Sequence, residues 1–143
     1  NLIKESRSKF GMKCLKSTKI IKEIVKNVKQ QKQGLYLLVS DQSPQIQKNQ
    51  YWTEFLNVNV PIFTGAEMIS KKFDFAVVNM STTKIKRGYY ESEFELITDA
   101  PNTLDKNTIT DTYLRLTEAH IHKQPNYYLW SHKRFKHKDK APK

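Results

Sequence analysis

The sequence predicts an α/β domain, a layered sheet flanked by helices, and three observations predict it. In "STKIIKEIVKNVKQQKQG", Ile20, Ile21, Ile24, Val25 and Val28 recur at helical spacing against a Lys-rich face. "LYLLVS" at 35–40 is a short, nearly continuous apolar run of the kind a buried strand shows. "YESEFELIT" at 90–98 alternates polar and apolar residues like a half-exposed strand.

Taken in order, the first helix starts at Ser17 or Thr18, either able to cap it, and Gly34 is placed to end it. After strand 35–40, "DQSPQIQKNQ" at 41–50 breaks the pattern with Pro44 and polar residues, as a loop does. "YWTEFLNVNVPIF" reads as an aromatic-rich connection, with Pro61 blocking continuous helix. A second helix is expected from Gly65 to Lys72, with Thr64 and Glu67 at capping-box spacing. "FDFAVVNMS" at 73–81 is a strand, "KIKRGYY" at 84–90 a turn, and 101–103 a loop. A third helix from Asn107 to Lys123 buries Ile109, Tyr113, Leu116 and Ile121, and "YYLW" at 127–130 closes the sheet as a last strand. The alternation of helices and strands is that of a layered domain. One domain is expected over 1–136, with 137–143 a basic, disordered tail.

A chain of 143 residues is long enough to bury one real core. Its net charge of +11 favours encounter with anionic partners and says nothing about fold. Residues 1–33 hold ten Lys or Arg against two Glu, the stretch from His132 onward six against one Asp, and the middle is nearly balanced. The longest apolar runs fall far short of the roughly 20 residues that cross a bilayer, and no signal peptide is visible. Cys14 is alone, which leaves no intramolecular disulfide or CxxC motif and points to a reducing compartment.

Three constellations bear on chemistry. Asp41 directly follows a run read as a buried strand, where open α/β sheets place ligand loops; an Asx-turn ahead of Pro44 is the plainer account. His120 and His122 point to different helix faces and His132 and His137 lie in the basic end, so metal ligation is poor and none is expected. No Gly-rich phosphate loop and no Gly-x-Ser-x-Gly elbow occurs. Lys84, Lys86 and Arg87 in the turn, and Lys133, Arg134, Lys136 and Lys138 beyond the last strand, suit phosphate contact or plain solvation. Cations beside aromatic residues also suit a small nucleic-acid-binding module, although "RFKHK" does not supply the aromatic pattern of an RNA-recognition motif. A non-catalytic lipid- or protein-interaction domain is the third reading.

"DQSP", then Phe55-Leu56, Pro61, Gly65 and "AVVNM", then "RGYY" at 87–90 and "EAHIHKQPNYYLWSHKRFK" at 118–136, resemble in order the C-terminal half of the bacterial lipid A biosynthesis (lauroyl/myristoyl) acyltransferases. The resemblance implies a glycerolipid-acyltransferase-like α/β fold whose N-terminal part lies before Asn1. It also implies a position on the cytoplasmic face of the bacterial inner membrane, peripheral or anchored N-terminally. It implies transfer of an acyl chain from an acyl carrier protein or CoA thioester to a hydroxyl of a lipid A precursor or related lipid, without a cofactor and without nucleic acid as a partner. In that family the general base belongs to a His-x4-Asp/Glu pair. None of the four His residues here has an acid five positions later, so the 143 residues alone are expected to be inactive. Position by position, Asp41 and Arg7 match candidates that support the active site. Arg87, His132, Arg134 and Lys136 match basic positions expected to face lipid phosphates or an anionic membrane surface. Trp130 and Phe135 are expected to pack against the domain.

Overall fold

A computed structural model describes residues 2–46 and 50–141. The chain divides into two compact units, Asn1–Leu37 and Leu38–Lys143.

In the first unit, α1 (Leu2–Ser8) precedes a 3-10 turn (Ser17–Lys19) and α2 (Ile20–Lys29). The apolar stripe buries Ile24 completely, while Ile21 and Val28 stay exposed. Neither expected cap forms: no side chain caps the start, where the 3-10 turn stands instead. The helix ends before Gly34. Gln31 takes the left-handed conformation (φ 52°), and the Lys32 and Gln31 N–H groups donate to Asn27 and Val28 carbonyls. That is a Schellman ending with glutamine in the usual glycine place.

The expected strand at 35–40 does not form. In that stretch Tyr36, Leu38 and Ser40 are turned inward and Leu35, Leu37 and Val39 outward, and among the described residues it belongs to no sheet. An apolar run supplies strand propensity; only a partner edge supplies the hydrogen bonds.

In the second unit, the segment read as a connection is a hairpin. Strands β1 (Tyr51–Phe55) and β2 (Val58–Ile62) pair antiparallel, Tyr51 opposite Ile62 and Phe55 opposite Val58. Leu56 and Asn57 at the turn both have positive φ (51° and 60°), the requirement of a type I′ turn. Pro61 is tolerated because β2 has a partner on one side only, leaving a free edge for a residue without N–H. Phe55, Val60 and Ile62 from the hairpin, with Leu114 and Ile121 from α4 (Thr108–Lys123), form the core; Tyr51, Tyr113, Tyr128 and Phe135 pack around it.

Helix α3 (Gly65–Phe73) lies where it was expected, but Thr64 makes no side-chain cap. Glu67 instead reaches the start of α4: its carboxylate accepts from the N–H of Asn107 (2.6 Å), and from the N–H (3.0 Å) and hydroxyl (2.7 Å) of Thr110. Donors otherwise orphaned at a helix N-terminus are thereby satisfied from another helix. In α4, Ile109 and Ile121 are buried as predicted and Tyr113 and Leu116 partly so, with Leu114 added to the core.

Strands β3 (Val77–Lys86) and β4 (Tyr89–Thr98) form a second antiparallel hairpin, turned by Arg87 and Gly88 (φ +80°). The strands run further, and the turn is tighter, than the sequence reading had them. "YYLW" is no strand: 125–127 is a 3-10 turn, and Tyr127, Leu129 and Trp130 are exposed. Lys138–Lys140, in the stretch expected to be a tail, is a 3-10 turn. The protein is thus mixed α/β, but among the described residues the expected layered sheet is two separate two-stranded hairpins.

Candidate active site around Asp41

Two segments far apart in sequence are laced together in the second unit. The Ser43 N–H donates to Nε2 of His132 at 2.9 Å, and the Tyr128 hydroxyl donates to the Asp41 carbonyl at 3.3 Å. Ser40 and Pro44 on either side are buried, so the "DQSP" loop is pinned at its ends. Because Nε2 of His132 accepts, the imidazole proton sits on Nδ1 whenever this bond is made.

Below the loop lies Arg134, 2% exposed. Its Nη1 donates to the Pro61 carbonyl at 3.1 Å, and its guanidinium sits 5.2 Å from the Phe55 ring centroid. Among the described residues Nε and Nη2 have no hydrogen-bond partner, nor have Oδ1 of Asp41 and Oγ of Ser43, all of them buried. Burial lowers the Arg134 pKa from its ordinary value, against the opposing pull of Tyr128, Asp41 and Tyr113. Burial likewise raises the phenol of Tyr128, with Arg134 pulling it down and Asp41 pushing it up. Tyr113 is raised by burial as well, and Asp41 and Tyr128 add to that. Asp41, Tyr113, Tyr128 and Arg134 therefore form one electrostatic cluster.

Asp41, Tyr113 and Tyr128 also line a cleft of about 240 Å³, with Ser81, Leu116 and His120 among its other walls. Its lining mixes apolar surface with hydroxyls and a carboxylate, which suits a ligand with both characters.

Of the residues singled out from sequence, Asp41, His132 and Arg134 are brought together. Arg134, expected to face lipid phosphates, is buried in the structure. Its guanidinium is enclosed against the β1–β2 hairpin, through the Pro61 carbonyl and the Phe55 ring. Arg87 is exposed at the β3–β4 turn, and Lys136 is exposed after Phe135. Arg7 stands exposed in the last turn of α1, in the first unit. Trp130 is exposed, its indole N–H donating to the Pro125 carbonyl at 2.7 Å and its ring edge-on to Tyr128. Phe135 does pack inward, stacked with Phe55.

Sequence reasoning missed Ser43, Tyr113 and Tyr128 as site residues. Tyr128 was hidden in a run that looked like a strand, and Tyr113 in a helix stripe that looked like core. Glu118, in the closing signature, accepts from the Leu56 N–H at 2.5 Å and pairs with Arg115 at 2.6 Å, tying α4 to the hairpin turn. Among the described residues no His, Cys, Asp and Glu cluster can hold a metal ion, and no helix is long and apolar enough to cross a membrane.

The acid-bearing loop and the cleft of mixed apolar and polar lining beside it make up the candidate site. The family model for the bacterial lipid A biosynthesis acyltransferases matches residues 1–137, and the chain belongs to that family. Neither curated proteins nor solved structures give a match.

Proposed function

We propose that these residues serve transfer of a fatty acyl chain from an acyl carrier protein or CoA thioester to a hydroxyl of a lipid A precursor, at the cytoplasmic face of the bacterial inner membrane. The observation that carries this reading is the match over nearly the whole chain, joined to the pinned Asp41 loop at the cleft. In such a reaction the acceptor oxygen attacks the thioester carbonyl, its proton passing to a base. The tetrahedral intermediate expels the thiolate, which takes a proton as the C–S bond breaks. A His-x4-Asp/Glu pair would supply the base, and none of the four His residues here forms one. The 143 residues are therefore expected to transfer no acyl group by themselves.

Within this scheme Asp41 orients a hydroxyl or a basic partner at the cleft. Arg134 acts as a positioning residue, a buried positive charge in the cluster that holds Asp41. Arg7 keeps a supporting role on the resemblance alone. Arg87 and Lys136, both exposed, are left for phosphates of the lipid or for the acidic carrier protein; His132 serves the loop.

The test is complementation of a bacterium lacking a lipid A acyltransferase with the whole reading frame, wild type and Asp41→Ala. Mass spectrometry of lipid A is expected to show one acyl chain restored by the wild type and much less of it by Asp41→Ala. Lipid A left unchanged by the wild-type frame would overturn the proposal.

A further inference from the structure

The β3–β4 ribbon segregates its side chains by register. Val78 pairs with Leu96, Met80 with Phe94, Thr82 with Ser92 (hydroxyls 3.0 Å apart), and Lys84 with Tyr90, all on one face. On the other face Asn79 pairs with Glu95, Ser81 with Glu93, and Thr83 with Glu91. Successive residues of a strand point to opposite sides, so all three carboxylates fall on the second face and none on the first. The second face looks toward α4, where Asn79, Ser81 and Glu95 share a groove with Leu116 and His120. The first face is left open. Tyr90, Phe94 and Leu96 are 64%, 65% and 59% exposed, and Val78 and Met80 are exposed too.

At the tip, Lys86 lies over the Tyr89 ring at 4.3 Å and Arg87 is exposed beside Gly88. Lys84, Lys86 and Arg87 thus border the apolar side chains, Lys84 with its ammonium over the Tyr127 ring at 5.1 Å, and the acids are turned away. An apolar face that carries aromatic residues and cations but no carboxylate has the make-up of a surface lying at the boundary of an anionic bilayer. A protein partner would need anions placed for three separate cations; a lipid surface offers phosphates everywhere, and long Lys and Arg stems reach them while the rings settle deeper.

We propose that the β3–β4 ribbon lies flat on an anionic membrane, with the Val78, Met80, Tyr90, Phe94 and Leu96 face in the headgroup boundary and the Glu91, Glu93 and Glu95 face turned from it. The proposal deepens the acyltransferase reading by naming the lipid-contacting element. It rests on that reading only for the expectation that a lipid surface is the partner.

The test needs no acyl transfer, so its failure and that of the enzymatic reading are separable. In a Cys14→Ser background, Phe94→Cys and Glu93→Cys are each labelled with a polarity-sensitive fluorophore and mixed with vesicles containing phosphatidylglycerol or phosphatidylcholine alone. The label at 94 is expected to shift to the blue with phosphatidylglycerol and to be quenched by a lipid-borne quencher; the label at 93 is not. Reversing Lys84, Lys86 and Arg87 to Glu is expected to weaken vesicle binding by at least about tenfold, more than Lys133→Glu with Lys136→Glu. Equal responses at 93 and 94, no response at either, or loss of binding only on reversal of Lys133 and Lys136 would each overturn it. So would a concentration-dependent shift at 94 without vesicles, which would make the face a contact between copies of this chain.

Discussion

Ser43 and His132 are joined by a hydrogen bond of 2.9 Å from backbone N–H to imidazole, across 89 positions of sequence. With the bond from the Tyr128 hydroxyl to the Asp41 carbonyl, it ties the Asp41 loop to the segment that carries Arg134.

His132→Ala is expected to lower stability by about 1 kcal/mol, the usual net worth of such a bond. The loop at 41–44 should also become easier to cleave by protease. His132→Gln, which keeps an acceptor, should recover part of both. Denaturant melts and limited proteolysis measure the two effects, and an unchanged loop in His132→Ala would show that the bond does not hold it.

Arg134 makes a prediction about a neighbour's titration. Its positive charge pulls the Tyr128 phenol down against the effect of burial. Removing it in Arg134→Met should therefore raise the Tyr128 pKa further, visible as a later phenolate absorbance rise in an alkaline titration, with Tyr128→Phe identifying the signal. Arg134→Ala, which also opens a void and leaves the Pro61 carbonyl unpaired, should cost about 2–4 kcal/mol. A Tyr128 titration unmoved by Arg134→Met would separate the two residues electrostatically.

Glu67 predicts acid sensitivity. Burial pushes its carboxyl up, but hydrogen bonds from the Thr110 side chain, Thr110 and Asn107 N–H groups and Lys71 outweigh that, and its folded pKa lies below the ordinary 4.5. The folded state thus binds the Glu67 proton less readily than the unfolded state. The associated stability is present above the unfolded value and is lost as pH falls through the folded one. Glu67→Gln should cost about 1–3 kcal/mol near neutrality, since its amide cannot accept from all the same donors. The variant should also lose this part of the decline between neutral and strongly acidic solution. Denaturant melts across pH check it; parallel curves for wild type and variant would be the contrary result.

The β1–β2 turn predicts a backbone effect. Asn57 stands at φ 60°, where a β-branched residue is strained and glycine is not. Asn57→Val is expected to destabilise by about 1–2 kcal/mol, and Asn57→Gly to leave stability near wild type. Equal stability of the two variants would argue against the positive-φ turn.

Much of the helical content was legible because period 3.6 is a local signal: Ile24 in α2 and Ile109 and Ile121 in α4 are buried where their spacing put them. The acid loop was legible as a feature, since "DQSP" follows an apolar run whatever that run becomes. Strand pairing was not. "LYLLVS" has the composition of a buried strand and joins no sheet among the described residues, while "YWTEFLNVNVPI" contains a proline and pairs all the same, because Leu56 and Asn57 take a turn that sequence statistics reserve mostly for glycine and asparagine. Arg134 looked like one more surface cation in a basic run, as nothing local distinguishes a charge that the fold encloses.

By itself the sequence determined roughly where α2, α3 and α4 lie, the family to which the ordered motifs belong, and the two basic ends, all properties read from neighbouring residues. Only the tertiary structure decided that Asp41, Tyr113, Tyr128 and Arg134 share one electrostatic environment, that Glu67 caps a different helix, and that the β3–β4 acids face away from the apolar side. Those depend on register and burial, which arise when segments tens of residues apart exclude water together.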